Sequence, residues 1–274
     1  MSGHVVHKMT GSGNDFVFVD GRIDGPENWS ADRIRAVCDR RTGVGADGLV
    51  IVESGTQPGA VRMTYFNRDG SRAPMCGNAA LCATRFAAVQ ELASPDGMEL
   101  VTEAGRYRTR CLPGSESIAE IELGDISKSR EVTLTLAAGE MAARLAVVGV
   151  PHLVVVVDDV CRVPLIERGR SLRQDPALGP DGANVNFVSR GPGGWAMRTY
   201  ERGVEDETLA CGTGAVAAAA VLAELGSAEV PWTVRTASGR QLVVTGCGGP
   251  GGLTSVCLVG EGRVVFRALL ANLG

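Results

Sequence analysis

Hydrophobic residues recur along this chain with two periods, a short one typical of β-strands and a longer one typical of α-helices. In the first half, runs rich in apolar and β-branched residues are bounded by glycine, proline, asparagine or aspartate, which predicts a series of strands. These strands are Val5–Met9, Phe16–Val19, Leu49–Val52, Val61–Phe66, Met98–Thr102, Tyr107–Leu112 and Ile118–Leu123.

The second half of the chain repeats this plan. A glycine-rich segment, Gly246–Gly252, predicts a turn between two of its last strands. The predicted strands are Met141–Val148, Leu153–Val157, Asn184–Val188 and Trp195–Tyr200, followed by strands around Thr233, Leu242, Val256 and Val264.

Helix signals lie between the strands of both halves. Ser30 is suited to cap a first helix, which carries Ile34, Val37 and Cys38 on its apolar face and ends near Gly43. Three further helices are predicted, at Gly77–Leu92, from Pro164 in the first turn to Arg173, and at Gly212–Leu225. The last is rich in alanine and apolar throughout, so we expect it to be buried.

The repeated order of elements predicts an α+β protein with two pseudo-symmetric halves, each a β-barrel-like layer wrapped around a central helix. We expect an N-terminal half at residues 1–128, with the C-terminal strand 263–274 as a candidate addition to it, and a C-terminal half at 129–262. The linker between them is predicted near Gly124–Arg130.

Composition narrows the possible partners. The chain has 274 residues, 45% of them hydrophobic, and a net charge of −4, so it offers no broad basic surface for nucleic acid. No apolar run approaches the ~20 residues that a membrane span needs, and Met1–His4 does not resemble the start of an export signal. We therefore expect a cytoplasmic protein that binds neither nucleic acid nor membrane.

The eight cysteines contain no Cys-x-x-Cys pair, and the three histidines show no metal-ligand spacing. In a reducing compartment we expect free thiols, no structural metal and no disulfide framework. Six cysteines are interpreted as small buried hydrophobic residues. They are Cys38, Cys82, Cys111, Cys161, Cys247 and Cys257.

The remaining two cysteines begin helix-like segments that have nearly the same sequence. Cys76-Gly77-Asn78 occurs in the first half and Cys211-Gly212-Thr213 in the second, and each cysteine follows a tyrosine by 11 residues. A thiol at a helix start lies beside unpaired backbone N–H groups and the positive end of the helix dipole, which favour the thiolate.

Two such thiols facing one pocket would form an acid–base pair. One thiolate would remove the Cα proton of an amino acid while the other thiol delivers a proton from the opposite face. The glycines leave room for an anion at the helix starts, whose N–H groups would grip the carboxylate and stabilise its developing charge. The pattern therefore favours racemisation without a cofactor.

Other motifs are weaker by themselves. The segment from Gly43 to Gly48 is interpreted as a helix cap and tight turn, with Asp47 a turn residue, and Gly11–Asp15 as a turn from which an asparagine could reach a pocket. His152 is expected to bond locally and stay neutral. Glu201 and Arg202, on the loop before the second cysteine, could hold the ammonium and carboxylate of an amino acid.

Several motifs in a fixed order are similar to those of the diaminopimelate epimerase family, and they extend over nearly the whole chain. They are Lys8–Val17, Arg41–Leu49, Pro151-His152 with the following strand, Asn184–Val188 and Glu201–Ala215. The resemblance implies two similar halves, usually a homodimer, and an enzyme that interconverts LL- and meso-2,6-diaminopimelate without a cofactor, serving lysine and peptidoglycan synthesis.

The resemblance also implies roles for individual residues. The two thiols would be the acid–base pair, with His152 and Glu201 beside them, and the reacting carboxylate would lie against Gly77, Asn78, Gly212 and Thr213. The rest of the substrate would be bound by Asn14, Asn67, Asn184, Glu201 and Arg202.

The chain departs from the usual family pattern at Ala79, Leu81 and Val150, where glycine, arginine and asparagine are common. One alternative therefore keeps the chemistry and changes the substrate to another amino acid such as histidine, or to that of a proline racemase-type isomerase. A third hypothesis, a thiol redox protein or a catalytically silent binding module, is disfavoured because Cys-x-x-Cys is absent and a silent module would not need both thiols.

Overall fold

The computed structural model describes residues 4–249 and 251–271, which contain four α-helices and eighteen β-strands. The chain forms two compact units. One runs to Glu122 and takes in the chain again from Val259, and the other runs from Leu123 to Leu258.

The first unit carries two helices among its strands, and the last strand of the chain returns to it. Its elements are β1 (His4–Gly11), β2 (Asn14–Asp20), α1 (Ala31–Cys38), β3 (Gly48–Ser54), β4 (Ala60–Asn67), β5 (Arg72–Ala73), α2 (Gly77–Val89), β6 (Met98–Thr102), β7 (Gly105–Cys111) and the first half of β8 (Ile118–Ser127).

The second unit has the same order of strands and helices after one short strand. The elements from there to the end of the described chain are β9 (Arg130–Glu131), β10 (Glu140–Val148), β11 (Val150–Val157), α3 (Leu165–Arg173), β12 (Asn184–Gly191), β13 (Gly194–Glu201), β14 (Asp206–Thr208), α4 (Gly212–Glu224), β15 (Trp232–Arg235), β16 (Gln241–Gly249), β17 (Gly252–Glu261) and β18 (Arg263–Leu270).

The two units repeat one scheme of strand pairing. In the first, β2 pairs in parallel with β3, β3 antiparallel with β4, and β4 in parallel with β6. In the second, β11, β12, β13 and β15 make the same three pairings in the same order. Tyr65 lies opposite Val50, and Tyr200 lies opposite Val185, so the repeated cysteine motif is part of a repeated sheet. The predicted α+β plan, built twice, is confirmed.

Each unit packs its strands against one apolar helix. Ten of the thirteen residues of α2 are buried, and so are ten of the thirteen of α4. The α2 helix contacts β1, β3, β4 and β7, whereas α4 contacts β10, β11, β12 and β16. Fully buried side chains such as Leu81 and Phe86 each stabilise the fold by about 1.5–3 kcal/mol. The expectation that the alanine-rich helix is buried is confirmed.

The start of α1 is the one predicted. Ser30 is its N-cap, and the Ser30 hydroxyl accepts a hydrogen bond from the backbone N–H of Arg33. Ile34, Val37 and Cys38 are the buried residues of this helix. Pro164, predicted in the first turn of α3, instead occupies its N-cap, one position earlier.

The predicted end of α1 near Gly43 is wrong, because the helix ends at Cys38. Asp39 is extended, with φ −63° and ψ 129°, and its carboxylate accepts the backbone N–H groups of the turn that follows. The glycine segment still caps the helix, since the N–H groups of residues 44 and 45 donate to the Val37 carbonyl. Gly43 has to be glycine, because a Cβ there would lie 2.1 Å from the Ala36 carbonyl oxygen.

Two other predicted segments differ from the structure. The linker predicted at Gly124–Arg130 is largely strand, because β8 continues to Ser127 and β9 begins at Arg130. The segment Gly246–Gly252, predicted as a turn, is mostly strand as well, since β16 reaches Gly249. Pro250, within this segment, lies outside the described residues. In these two segments, a predicted linker and a predicted turn, backbone pairing extends the strands instead.

Among residues 4–249 and 251–271, none of the helices combines the length and the hydrophobicity that crossing a membrane requires.

The packing of α3 on β13 can be tested at Gly169. A Cβ at this position would lie 2.5 Å from the Cβ of the fully buried Tyr200. In an open helix, glycine to alanine stabilises by about 1 kcal/mol, but here overpacking should destabilise the protein by about 1–3 kcal/mol. Urea denaturation of Gly169→Ala measures this.

The control is Gly191→Ala, at a glycine with no neighbouring atom within 4 Å, which should lie within about 0.5 kcal/mol of wild type. A gain of stability in Gly169→Ala would contradict the described packing.

Candidate active site

The two cysteines of the repeated motif occupy the same position in the two units. Cys76 is the N-cap of α2, with φ −138° and ψ 123°, and Cys211 is the N-cap of α4, with φ −133° and ψ 106°. Gly77 and Gly212 are the first residues of these helices. The predicted helix starts are therefore confirmed, and both thiols lie at the positive end of a helix dipole.

The sulfur of Cys211 takes part in capping its helix. It accepts a hydrogen bond of 3.4 Å from the backbone N–H of Gly214 and lies 3.7 Å from the Thr213 hydroxyl. Gly214 leaves room for this contact, because a Cβ there would lie 3.0 Å from the Cys211 sulfur and 2.3 Å from Asn186 Oδ1. A backbone N–H aimed at sulfur stabilises negative charge on it.

The start of α2 is built differently. Cys76 makes no side-chain capping hydrogen bond, and Ala79 stands where α4 has Gly214. Ala79 and Leu81, the two departures from the usual family motif in this helix, are fully buried. Cys76 is half-buried, whereas Cys211 is buried.

A chain of polar side chains connects the start of α2 to the turn between β3 and α1. Asn78, at the second helical position, donates from Nδ2 to Asn14 Oδ1 at 2.6 Å. Asn14 in turn donates from Nδ2 to Asp47 Oδ2 at 3.1 Å. The amide of Asn14 is thus held in one orientation, with its oxygen toward α2, because the Asp47 carboxylate only accepts.

Asp47 belongs to a network of ions. Arg40 donates to Asp47 at 2.8 Å and to Asp15 at 2.6 Å, and Lys8 also pairs with Asp15. Burial alone would raise the pKa of Asp15, but the hydrogen bonds and charges of Arg40 and Lys8 hold that pKa below its usual value. The cations thus hold the Asp15 carboxylate in its ionised form.

Asn67 has a local partner. Its Nδ2 donates to the Ser71 hydroxyl at 3.0 Å within the turn that follows β4. The next backbone N–H, that of Arg68, donates to the Asp47 carbonyl. Asn67 therefore adjoins the Asn14–Asp47 network through the backbone, while its own amide group is used by the turn.

His152 lies in β11 and is completely buried. Its Nδ1 lies 3.2 Å from Asn186 Nδ2, and burial together with the Arg202 charge lowers its pKa to about 3. The imidazole is therefore neutral at physiological pH, as predicted from the sequence.

Two other predicted site residues are related to this histidine: Asn184 pairs with it in the sheet, and the charge of Arg202 acts on its pKa. His152 and Asn184 are direct partners in the parallel register of β11 and β12. The backbone N–H of Arg202 donates to Asn184 Oδ1 at 2.8 Å, and its guanidinium donates to the Asp181 carbonyl at 3.4 Å. Glu201 ends β13 immediately before Arg202.

The structure thus brings the predicted residues together in two groups, one in each unit. Cys76, Gly77, Asn78 and Asn14 are linked in the first unit, with Asn67 at its margin. The second group lies in the second unit and comprises Cys211, Gly212, Thr213, His152, Asn184, Glu201 and Arg202.

Two residues of these groups were missed or undervalued in the sequence. Asp47 was interpreted as a turn residue, yet it orients Asn14, and Asn186 was not singled out, yet it contacts His152 and lies against the start of α4. A signal existed for Asn186, since Asn184 and Asn186 point to the same face of a strand. Asp47 offered only its place in the Arg41–Leu49 motif, because the hydrogen bond that gives it a role is made to Asn14, 33 residues away in the chain.

The other cysteines divide into two kinds. None of the eight, all within the described residues, forms a disulfide, as expected. Burial raises the pKa of Cys38 to about 12 and also raises the pKa of the fully buried Cys82. The interpretation as buried hydrophobic residues holds for these two and for Cys111. It is wrong for three others, which lie in a short 3₁₀ helix, in β16 and in β17. Cys161 and Cys247 are exposed, and Cys257 is half-buried.

Solved structures share this fold over almost the whole chain. A PhzF-family phenazine biosynthesis protein from Bacillus anthracis matches with a TM-score of 0.73 at 14% identity, covering 99% of this chain and 100% of that one. A hydroxyproline epimerase from Agrobacterium vitis matches with a TM-score of 0.67 at 18% identity, covering 98% and 92%. These likenesses show that the chain shares the fold of both proteins.

Sequence comparison is more specific than the fold. The diaminopimelate epimerase family model matches residues 6–129 and 144–249. Diaminopimelate epimerase of Gemmatimonas aurantiaca is 44% identical over 97% of this chain and 99% of its own length. The corresponding protein of Chlorobaculum tepidum is 36% identical over 96% and 99%. The chain belongs to the diaminopimelate epimerase family and is an isomerase.

The neutral state of His152 predicts a dependence of stability on pH. The pKa of His152 is about 3 in the folded protein and about 6.5 in the unfolded chain, so only the unfolded chain takes up this proton between those values. Wild type should therefore lose stability relative to His152→Gln as the pH falls below about 6.5, at up to about 1.4 kcal/mol per pH unit.

Urea denaturation of both proteins across pH 7.5 to pH 4.5, a span of about three units around the unfolded pKa, measures the difference. The glutamine variant carries the same carboxylates and therefore controls for their titration. Parallel stability curves would contradict the buried neutral imidazole.

Proposed function

We propose that this chain is an epimerase that interconverts LL- and meso-2,6-diaminopimelate by two-base proton transfer at Cα. The observation that carries the proposal is the repeated helix start, at which Cys76 and Cys211 occupy the same N-cap position in units of the same topology. Membership of the diaminopimelate epimerase family supports the substrate.

Each thiol has one task in each direction of the reaction. One cysteine, as the thiolate, takes the proton from Cα, and the other, as the thiol, gives a proton to the opposite face of the same carbon. The pair ends with the protonation states exchanged, so the net change is inversion at Cα. No electron transfer or cofactor is needed for this step.

The helix starts are proposed to stabilise the charge that moves into the carboxylate as the Cα proton leaves. Gly77 and Asn78 begin α2, and Gly212 and Thr213 begin α4, where backbone N–H groups have no partner within the helix. Such groups bind an oxyanion without reorganising. Asn14 supports this arrangement by holding Asn78, and Glu201 is proposed to lie beside the thiols.

The second amino acid head of diaminopimelate requires charged and amide partners. We propose Arg202 for the distal carboxylate, with Asn184 and Asn67 as further polar contacts. Asn184 Oδ1 accepts the backbone N–H of Arg202 at 2.8 Å, so the backbone from which the guanidinium side chain extends is held against the sheet. Arg202 then pairs with a carboxylate through two parallel hydrogen bonds.

The protein is further proposed to act in the cytoplasm as a homodimer, in the synthesis of lysine and peptidoglycan precursors. The first unit offers an apolar surface for self-association, since Val265, Phe266 and Leu269 of β18 are exposed. Sedimentation velocity of the purified chain measures its oligomeric state.

Replacement of either thiol tests the two-base mechanism. Cys76→Ser and Cys211→Ser should fold normally but lose epimerisation by at least about 100-fold, because a hydroxyl is a far weaker base than a thiolate. The assay is NMR of LL-diaminopimelate with the protein in deuterated water, which follows inversion and Cα exchange separately.

The matched control is Cys161→Ser, at an exposed cysteine outside both groups, which should retain wild-type activity. Near wild-type epimerisation by either N-cap variant would exclude the mechanism.

Replacement of Arg202 separates diaminopimelate from a simpler amino acid substrate. Arg202→Met removes a charge-assisted contact, which should cost about 1.5–3 kcal/mol and raise KM for diaminopimelate roughly 10- to 100-fold. The loss should lie mainly in KM, because the contact is remote from the reacting carbon. Steady-state kinetics with both stereoisomers measure it, and Arg162→Met, at an exposed arginine, is the control.

Equal kinetics in Arg202→Met and wild type, or a wild-type preference for an amino acid without a distal carboxylate, would favour the alternative, a racemase of another amino acid. The two-thiol mechanism would then apply to that substrate.

A further inference from the structure

The side chain of Asn186 is completely buried in β12, and its amide group is hydrogen-bonded on both sides. Nδ2 lies 3.4 Å from the Leu153 carbonyl oxygen, and Oδ1 accepts from the Thr199 hydroxyl at 3.0 Å. A carbonyl oxygen only accepts hydrogen bonds, so Leu153 fixes the orientation of the amide. The NH₂ group of Asn186 therefore points toward β11.

The same NH₂ group determines which nitrogen of His152 carries the proton. It donates to His152 Nδ1 at 3.2 Å, so Nδ1 is an acceptor and has no hydrogen. A neutral imidazole has a single N–H, and it must then be at Nε2.

The Nε2–H group is a buried donor. Among the described residues, His152 Nε2 has no hydrogen-bond partner, and the residue is 0% exposed. Buried donors in folded proteins are nearly always paired, and the exceptions call for an explanation by function or by a bound molecule. An acceptor supplied by a ligand is the explanation that fits this place.

Asn186 also lies against the helix that carries the second thiol. Its Oδ1 occupies the space in which a Cβ of residue 214 would lie, at 2.3 Å, next to the Cys211 sulfur. One side chain thus contacts the imidazole on β11 and the first turn of α4. A substitution of Asn186 should therefore alter the surroundings of both His152 and the first turn of α4.

We propose that Asn186 is a positioning residue that holds His152 as its Nε2–H tautomer, and that His152 serves the reaction by donating a hydrogen bond from Nε2 to a substrate oxygen. This role rests on the proposed epimerase function. His152 keeps its proton throughout, and the protons that move at Cα are carried by the two thiols.

The tautomer can be observed without substrate. In protein labelled with ¹⁵N-histidine, long-range ¹H–¹⁵N spectra at neutral pH distinguish a protonated from an unprotonated ring nitrogen, and His152→Gln identifies the signals among the three histidines. We expect the proton on Nε2 in wild type. A proton on Nδ1, or on both nitrogens, would overturn the proposal.

Variants of the two hydrogen bonds of Asn186 separate positioning from packing. Asn186→Asp presents only acceptors to Nδ1 and should move the proton to Nδ1. Thr199→Val removes the other hydrogen bond of Asn186 and should leave the proton on Nε2. A proton that stays on Nε2 in folded Asn186→Asp would overturn the role of Asn186, and the wild-type spectrum tests the tautomer if that variant fails to fold.

Kinetics test the donor role of His152. A glutamine amide can place an N–H donor near the position of Nε2 but cannot act as a base at neutral pH, whereas leucine offers no donor. His152→Gln should therefore retain at least about tenfold more kcat than His152→Leu. Equal loss in both variants would overturn the donor role.

The two proposals fail in different ways. If wild type has the Nε2–H tautomer but does not epimerise diaminopimelate, the proposed function fails while the positioning by Asn186 stands. If wild type epimerises diaminopimelate but His152 carries its proton on Nδ1, the positioning fails while the function stands.

Discussion

The structure depends on burying two helix N-termini. A buried helix hides its side chains from water, but its first backbone N–H groups still need partners that the helix cannot supply. In α4 the Cys211 sulfur accepts a hydrogen bond from one of these groups, the N–H of Gly214. The glycines of the first turn allow the backbone to approach the sulfur closely. The same constraint gives a thiol at this place both a structural use and an environment that favours its anion.

The two units meet this constraint with different chemistry on the same topology. Around α2, a partly exposed network of Arg40, Asp47 and Asn14 orients Asn78 by charge. Around α4, a fully buried and uncharged pair, Asn186 and His152, lies behind the helix start. Charges near solvent are tolerated when they are paired, whereas a buried site favours neutral groups fixed by hydrogen bonds. The repeat therefore conserves backbone geometry and leaves the polar side chains free to differ.

Sequence patterns predicted elements well where a local cause sets them. Ser30 caps α1 because its hydroxyl reaches the N–H of Arg33, and the alanine-rich run after Gly212 is helical by propensity. Predictions failed where the cause was distant. The segment after Gly124 continues as strand, and Cys161 is exposed although cysteine is commonly buried. The residues next to a position in the sequence determine neither which strand it pairs with nor how deeply it is buried.

The sequence by itself determined the repeated plan of strands and helices, the two N-cap cysteines and the family. These depend on local propensity and on motifs of neighbouring residues, which can be recognised directly in the sequence. Only the tertiary structure decided the roles of Asp47 and Asn186. Their partners, Asn14 and His152, lie more than thirty positions away and are brought to them by strand pairing. The orientation of an amide and the tautomer of an imidazole follow from such contacts, since each depends on which donor or acceptor lies opposite in space.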